Sequence, residues 1–172
     1  MSGIDDAIKA NQAYVRGFEL SGLDMPPARK LAIVACMDAR LTLEPMLGLE
    51  TGDAHIIRNA GGRVSEDVVR SLVISQQLLG TREVMIVNHT DCGMLTFSDD
   101  ELSAHMVNTT GKFPVVPAQF GAFRNLEQNV REQVHKLKSH PWVKDISIRG
   151  FIYDVKTGQL NEVSAAPLDK AA

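Results

Sequence analysis

Apolar residues recur between positions 4 and 20 at Ile4, Ala7, Ile8, Tyr14, Val15 and Phe18, mostly on one stripe. That spacing predicts an amphipathic helix over 4–20. Gly22 to Pro27 then breaks the pattern, with Pro26 and Pro27 as the stop. Leu31 to Ala35 is a short, unbroken apolar run. Such a run is expected of a central parallel strand covered on both faces. Pro45, Gly48 and Gly52 punctuate a helical turn, and Ala54 to Arg58 reads as a second strand running into a loop, 59–62. Ser65 is placed to cap a helix whose first turn holds Glu66 and Asp67. Val68, Val69, Leu72, Val73 and Leu79 supply its buried face, and Gly80 ends it. Val84 to Val87 marks a third buried strand within Glu83 to Asn88.

The stretch 99–140 is polar and reads as two or three helical pieces, interrupted at Pro114 and Pro117. Leu126, Val130, Val134 and Leu137 form one helical stripe there. Residues 146–155 give a last strand, closed by the turn Lys156 to Gly158. No repeat or linker interrupts the 172 residues. Alternating strands and helices predict a single α/β domain with a mostly parallel central sheet flanked by helices. A protruding helical arm (1–25) precedes a core (30–94), a helical segment (99–140) and a terminal strand (146–158).

Composition narrows the function classes. Hydrophobic residues are 44% and charged residues 23%, within the range of soluble globular domains. The net charge of −3 gives no general reason to expect nucleic acid or an anionic membrane as partner. Residues 1–10 contain Asp5 and Asp6 and no apolar run, unlike a signal peptide. No stretch approaches the roughly 18 apolar residues that a membrane span requires. The cytoplasm is the expected location. There, two cysteines are poor candidates for a structural disulfide.

Cys36 and Cys92 are the only cysteines. A free cysteine is ordinarily a core residue, but their placement suggests chemistry. Cys36 falls at the carboxyl end of the first strand, and His89 and Cys92 follow the third. Ligands of open α/β sheets gather beyond the carboxyl ends of strands. If the first strand lies between the second and third, these three side chains converge. Two thiolates and one imidazole suit one zinc ion, and a Cys₂His set leaves a fourth position open for catalysis. The other histidines, His55, His105, His135 and His140, read as surface or packing residues. Asp38 and Arg40, two apart in a tight loop after Cys36, can pair. The pair orders the loop, or its carboxylate orients a nucleophile while the arginine keeps it ionised.

The stretches Ala35 to Arg40 (Ala-Cys-Met-Asp-Ala-Arg), Gly52 to Gly62, Ser71 to Gly80 and His89 to Met94 (His-Thr-Asp-Cys-Gly-Met) resemble the β-class carbonic anhydrases, in particular the short bacterial type. The likeness extends from about residue 31 to 94 and returns at 150–158. The resemblance implies a zinc lyase that hydrates carbon dioxide reversibly to bicarbonate and a proton by attack of zinc-held hydroxide. It implies Cys36, His89 and Cys92 as ligands of one Zn²⁺ per chain, Asp38 and Arg40 as the catalytic dyad, and Gly61 and Gly62 at the substrate. It further implies a homodimer clasped by the first helix, or a homotetramer. Two alternatives use the same residues: a carbon disulfide or carbonyl sulfide hydrolase, and a non-catalytic protein in which Asp38 permanently fills the fourth zinc position. An Asp38 that competes with water for that position predicts activity that rises with pH.

Overall fold

The sheet grows outward from its most apolar strand. In the computed structural model, which describes residues 2–113 and 119–164, β1 (Leu31–Cys36) pairs in parallel with β2 (Ala54–Asn59) on one side and β3 (Glu83–His89) on the other. β4 (Ser147–Tyr153) continues the parallel order beside β3. The strand order is β2-β1-β3-β4, with β5 (Leu160–Val163) as an antiparallel edge. β1 is therefore central, and its alternate residues feed two cores. Ala32 and Val34 pack with α3 (Glu66–Gln77) and α5 (Leu126–Lys138), through Val68, Leu72, Val134 and Leu137. Ile33 and Ala35 face the other way, toward Leu43 of α2 (Leu43–Leu47), Leu49 and Phe151. The uninterrupted apolar character of β1 follows from burial on both faces.

Local signals set several boundaries. Ser65 Oγ accepts from the Val68 amide at the start of α3, as its sequence context predicts. α3 ends at Gln77, so Leu79 lies beyond it, half-buried, in the turn made by the left-handed Gly80. Ser98 and Glu101 form a reciprocal capping box at the head of α4 (Asp99–Thr110). The segment 99–140 thus holds two helices among the described residues; Pro114 and Pro117 lie outside them. Ala60–Gly62 is a tight, kinked turn in which Gly61 and Gly62 both take positive φ.

The first helix is shorter than its apolar stripe. α1 (Gly3–Tyr14) ends before Gly17, and Val15–Gly17 and Leu20–Gly22 continue as 3-10 turns. Two glycines and the lack of any buried face leave nothing to extend the helix. No residue of α1 is buried, and Ile4, Ile8, Val15 and Phe18 are all exposed. α1 therefore buries no face against its own domain.

β4 lies close against α5. A Cβ at Gly150 would stand 2.3 Å from Val130 Cγ1 and 3.0 Å from Val134 Cγ2. Gly150→Ala should cost about 3 kcal/mol, the upper range for overpacking. Equilibrium unfolding in urea checks this, and a loss below about 1 kcal/mol would mean that α5 can shift freely.

Candidate metal centre

Because β1 sits between β2 and β3, Cys36 at its end lies level with the end of β3. His89 is the last residue of β3, and Cys92 follows in the next turn. The ligand-type atoms of Cys36, His89 and Cys92 lie within 4.8 Å of one another, and all three residues are buried. Cys36 Sγ and Cys92 Sγ are 4.0 Å apart. A tetrahedral zinc with Zn–S bonds of about 2.3 Å requires a sulfur–sulfur edge of about 3.8 Å.

His89 supplies a second test of fit. Its Nδ1 lies 2.9 Å from the Thr90 carbonyl and donates to it. That fixes the tautomer with a bare lone pair on Nε2, as a metal ligand requires. Nε2 is buried and has no hydrogen-bond partner. An orphaned buried acceptor between two thiols is costly unless a cation occupies the space.

The thiols point the same way. Cys36 is pulled far below the ordinary thiol range, chiefly by the hydrogen bond from Cys92, against burial, with the backbone amides of Asp38 and Gly61 adding to it. Cys92 is pushed up by Cys36 beside it and by burial. The opposite directions belong to one pair sharing a proton. A single thiolate is favoured, and a second is repelled until positive charge enters. The donor set therefore fits Zn²⁺.

Asp38 and Arg40 meet side by side. Arg40 Nε donates to Asp38 Oδ1 (2.9 Å) and Nη2 to Oδ2 (2.8 Å), while the Arg40 amide also donates to Oδ1 (2.9 Å). These bonds hold the Asp38 carboxyl well below the usual carboxylate range. Asp38 Oδ2 stands 3.8 Å from His89 Nε2. The carboxylate therefore borders the metal pocket while its two oxygens are engaged by arginine.

Gly61 and Gly62 are buried in left-handed conformations, φ +77° and +59°. A Cβ on Gly62 would meet Asn88 Nδ2 at 2.8 Å and the Cys36 amide nitrogen at 3.0 Å. One on Gly61 would meet Met94 and Phe123. The absence of a side chain at both positions permits close packing beneath the Cys36 loop. His55 sits away from the cluster, its Nδ1 2.8 Å from Ser75 Oγ.

Several contributors carry no pattern in the sequence. Arg58 donates to the carbonyls of Cys36 (3.0 Å) and Asp38 (2.6 Å), steadying the loop after β1. Asn88 donates to the Gly61 carbonyl (3.0 Å) and accepts from Asn129 (2.6 Å), tying the glycine turn to α5. Asp99 accepts from the amides of Gly121 (3.1 Å) and Ala122 (2.8 Å), and the Phe123 amide donates to the Met94 carbonyl. Phe123 is thereby set into an apolar shell with Leu41, Met94, Cys36 and Cys92. A polar residue closing a buried strand, as Asn88 does, is the one signal that could have flagged a member of this set.

Comparison with known proteins agrees with this geometry. The family model described as carbonic anhydrase matches residues 31–160. The chain is 47% identical over 165 residues to Beta-carbonic anhydrase 1 of Mycobacterium tuberculosis, covering 95% of this chain and 99% of that one. A carbon disulfide hydrolase of Saccharolobus solfataricus is 33% identical, covering 92% and 88%. Among solved structures, a carbonic anhydrase from Streptococcus mutans superposes with a TM-score of 0.88 at 48% identity, covering 95% of this chain and 99% of that one. The convergent Cys-His-Cys cluster, the five-stranded sheet and these relatives agree: this chain belongs to the β-carbonic anhydrase family.

Proposed function

We propose that this enzyme hydrates carbon dioxide reversibly to bicarbonate and a proton, with Cys36, His89 and Cys92 holding one Zn²⁺ per chain. The observation that supports it is the orphaned His89 Nε2 between two buried thiols, bordered by an arginine-held carboxylate. Held by these three side chains, Zn²⁺ would supply a Lewis acid and make water far more acidic than in bulk. Asp38 accepts a hydrogen bond from the attacking oxygen and so orients its lone pair toward the substrate carbon. Arg40 keeps Asp38 ionised and turned to that task. Leu41, Met94 and Phe123 offer an apolar wall suited to a small, non-polar, linear molecule. Gly61 and Gly62 approach it with bare backbone. The proton leaves to buffer.

The engagement of both Asp38 oxygens by Arg40 disfavours the reading in which Asp38 permanently fills the fourth zinc position. The uncovered stripe of the arm supports a homo-oligomer, a dimer or tetramer, in which a neighbour buries Ile4, Ile8 and Phe18. No helix among the described residues is long and apolar enough to cross a membrane, in keeping with a proposed cytoplasmic location.

A second reading, hydrolysis of carbon disulfide or carbonyl sulfide, is favoured by the 33% identity to a carbon disulfide hydrolase. Stopped-flow hydration of CO₂ and sulfide release from CS₂, measured on the same zinc-loaded protein, separate the two. The expected result is a kcat/KM for CO₂ at least about 100-fold above that for CS₂, a discrimination of about 2.7 kcal/mol. The reverse order would establish the second reading.

A further inference from the structure

We propose that Asp91 is a positioning residue that holds Arg40, and through it Asp38, in place for the reaction. The inference rests on the roles of Asp38 and Arg40 given above. The Arg40 guanidinium is gripped from two sides. Toward its own loop it donates to both oxygens of Asp38. Toward the loop after β3, its Nη1 donates to Asp91 Oδ2 (2.8 Å) and its Nη2 to the Asp91 backbone carbonyl (3.0 Å). Asp91 lies between the ligands His89 and Cys92, so the guanidinium bridges the two loops that deliver the metal ligands.

The backbone at Asp91 is built for this grip. Its φ is +55°, and only one other non-glycine described residue, Lys30, shares a positive φ. Asp and Asn tolerate that conformation better than most side chains, at some cost in strain. The turn lets the carbonyl and the carboxylate of one residue reach the same guanidinium. Such strain in a loop beside a reacting centre is a common mark of function.

Fold stability does not explain the contact. The side chains of Arg40 and Asp91 are 46% and 71% exposed, and exposed ion pairs contribute little to stability. What Asp91 removes is freedom of Arg40. With one face of the guanidinium released, Arg40 and Asp38 can turn together about the loop after β1, and the carboxylate loses its fixed orientation.

The test compares Asp91→Ala, Asp91→Asn, Arg40→Ala and the Asp91→Ala/Arg40→Ala double variant, all zinc-loaded. Asp91→Ala should keep one zinc per chain, with its melting temperature lowered by no more than a few degrees from the added strain of alanine at positive φ. Its kcat for CO₂ hydration should fall about tenfold with KM unchanged. Solvent exchange of the Arg40 Nε–H, followed by ¹⁵N NMR, should quicken severalfold. Asp91→Asn, which keeps the left-handed preference and a neutral acceptor, should recover part of the rate. In the Arg40→Ala background, losing Asp91 should change nothing further. Unchanged kcat and exchange in Asp91→Ala would overturn the proposal. So would loss of zinc, or an equal additional loss in the double variant. An Arg40→Ala protein with full rate would instead overturn the role of the Asp38–Arg40 pair itself.

Discussion

Cys92→Ser is expected to lose most of its zinc and to hydrate CO₂ at least about 10³-fold more slowly, since the shift in water acidity spans up to about nine pKa units. A serine hydroxyl in that position is a hard, neutral donor at neutral pH, whereas the site is made of borderline-soft groups that bind as anion or imidazole. Cys92 is buried and faces Cys36 Sγ and His89, and the nearest other donor, the Asp38 carboxylate, is engaged by Arg40. Elemental analysis after gel filtration, run beside the hydration assay, checks both parts. Full zinc content in Cys92→Ser would remove this cysteine from the metal centre. Full zinc with lost rate would place it in the chemistry rather than the binding.

Gly62→Ala is expected to be the most disruptive single-methyl change near the site, costing about 3 kcal/mol or more through added strain and overpacking. The position needs φ +59°, which L side chains rarely adopt. Two of the atoms that a Cβ would strike, Cys36 N and Ala35 C, are backbone at the end of the central strand. Neither can move without displacing Cys36. Asn88 Nδ2, the third neighbour, would have to break its bond to the Gly61 carbonyl. Thermal unfolding and zinc content should fall together. Gly111→Ala, also left-handed but with open space at its Cβ, is the matched control. Equal losses in the two variants would mean that backbone strain alone accounts for the effect.

The sequence reveals the part of this design that follows from periodicity and from element ends. β1 is legible because burial on both faces forbids polar residues. α5 is legible because its stripe meets β4 through Val130, Val134 and Leu137. Cys36 and His89 are legible because the ends of central strands are where α/β sheets gather ligands. β5 is not: it is four residues long, and Asn161 and Glu162 are exposed, so no alternation marks it. The end of α1 is not legible either, because an apolar stripe continues through Val15 and Phe18, past the last turn of the helix. Asp91, Arg58 and Asp99 escaped for another reason. Each acts through a long-range contact to backbone or to a guanidinium, and a single charged residue in a loop has no period to betray such a contact.

Titrating the metal-free protein with Zn²⁺ while following CO₂ hydration tests the central claim most directly. Activity should rise linearly from a negligible level and saturate at one equivalent per chain, because one Cys-His-Cys cluster is present among the described residues. Full hydration activity in the metal-free protein, or none once one equivalent is bound, would contradict a zinc-dependent CO₂ hydratase built on Cys36, His89 and Cys92.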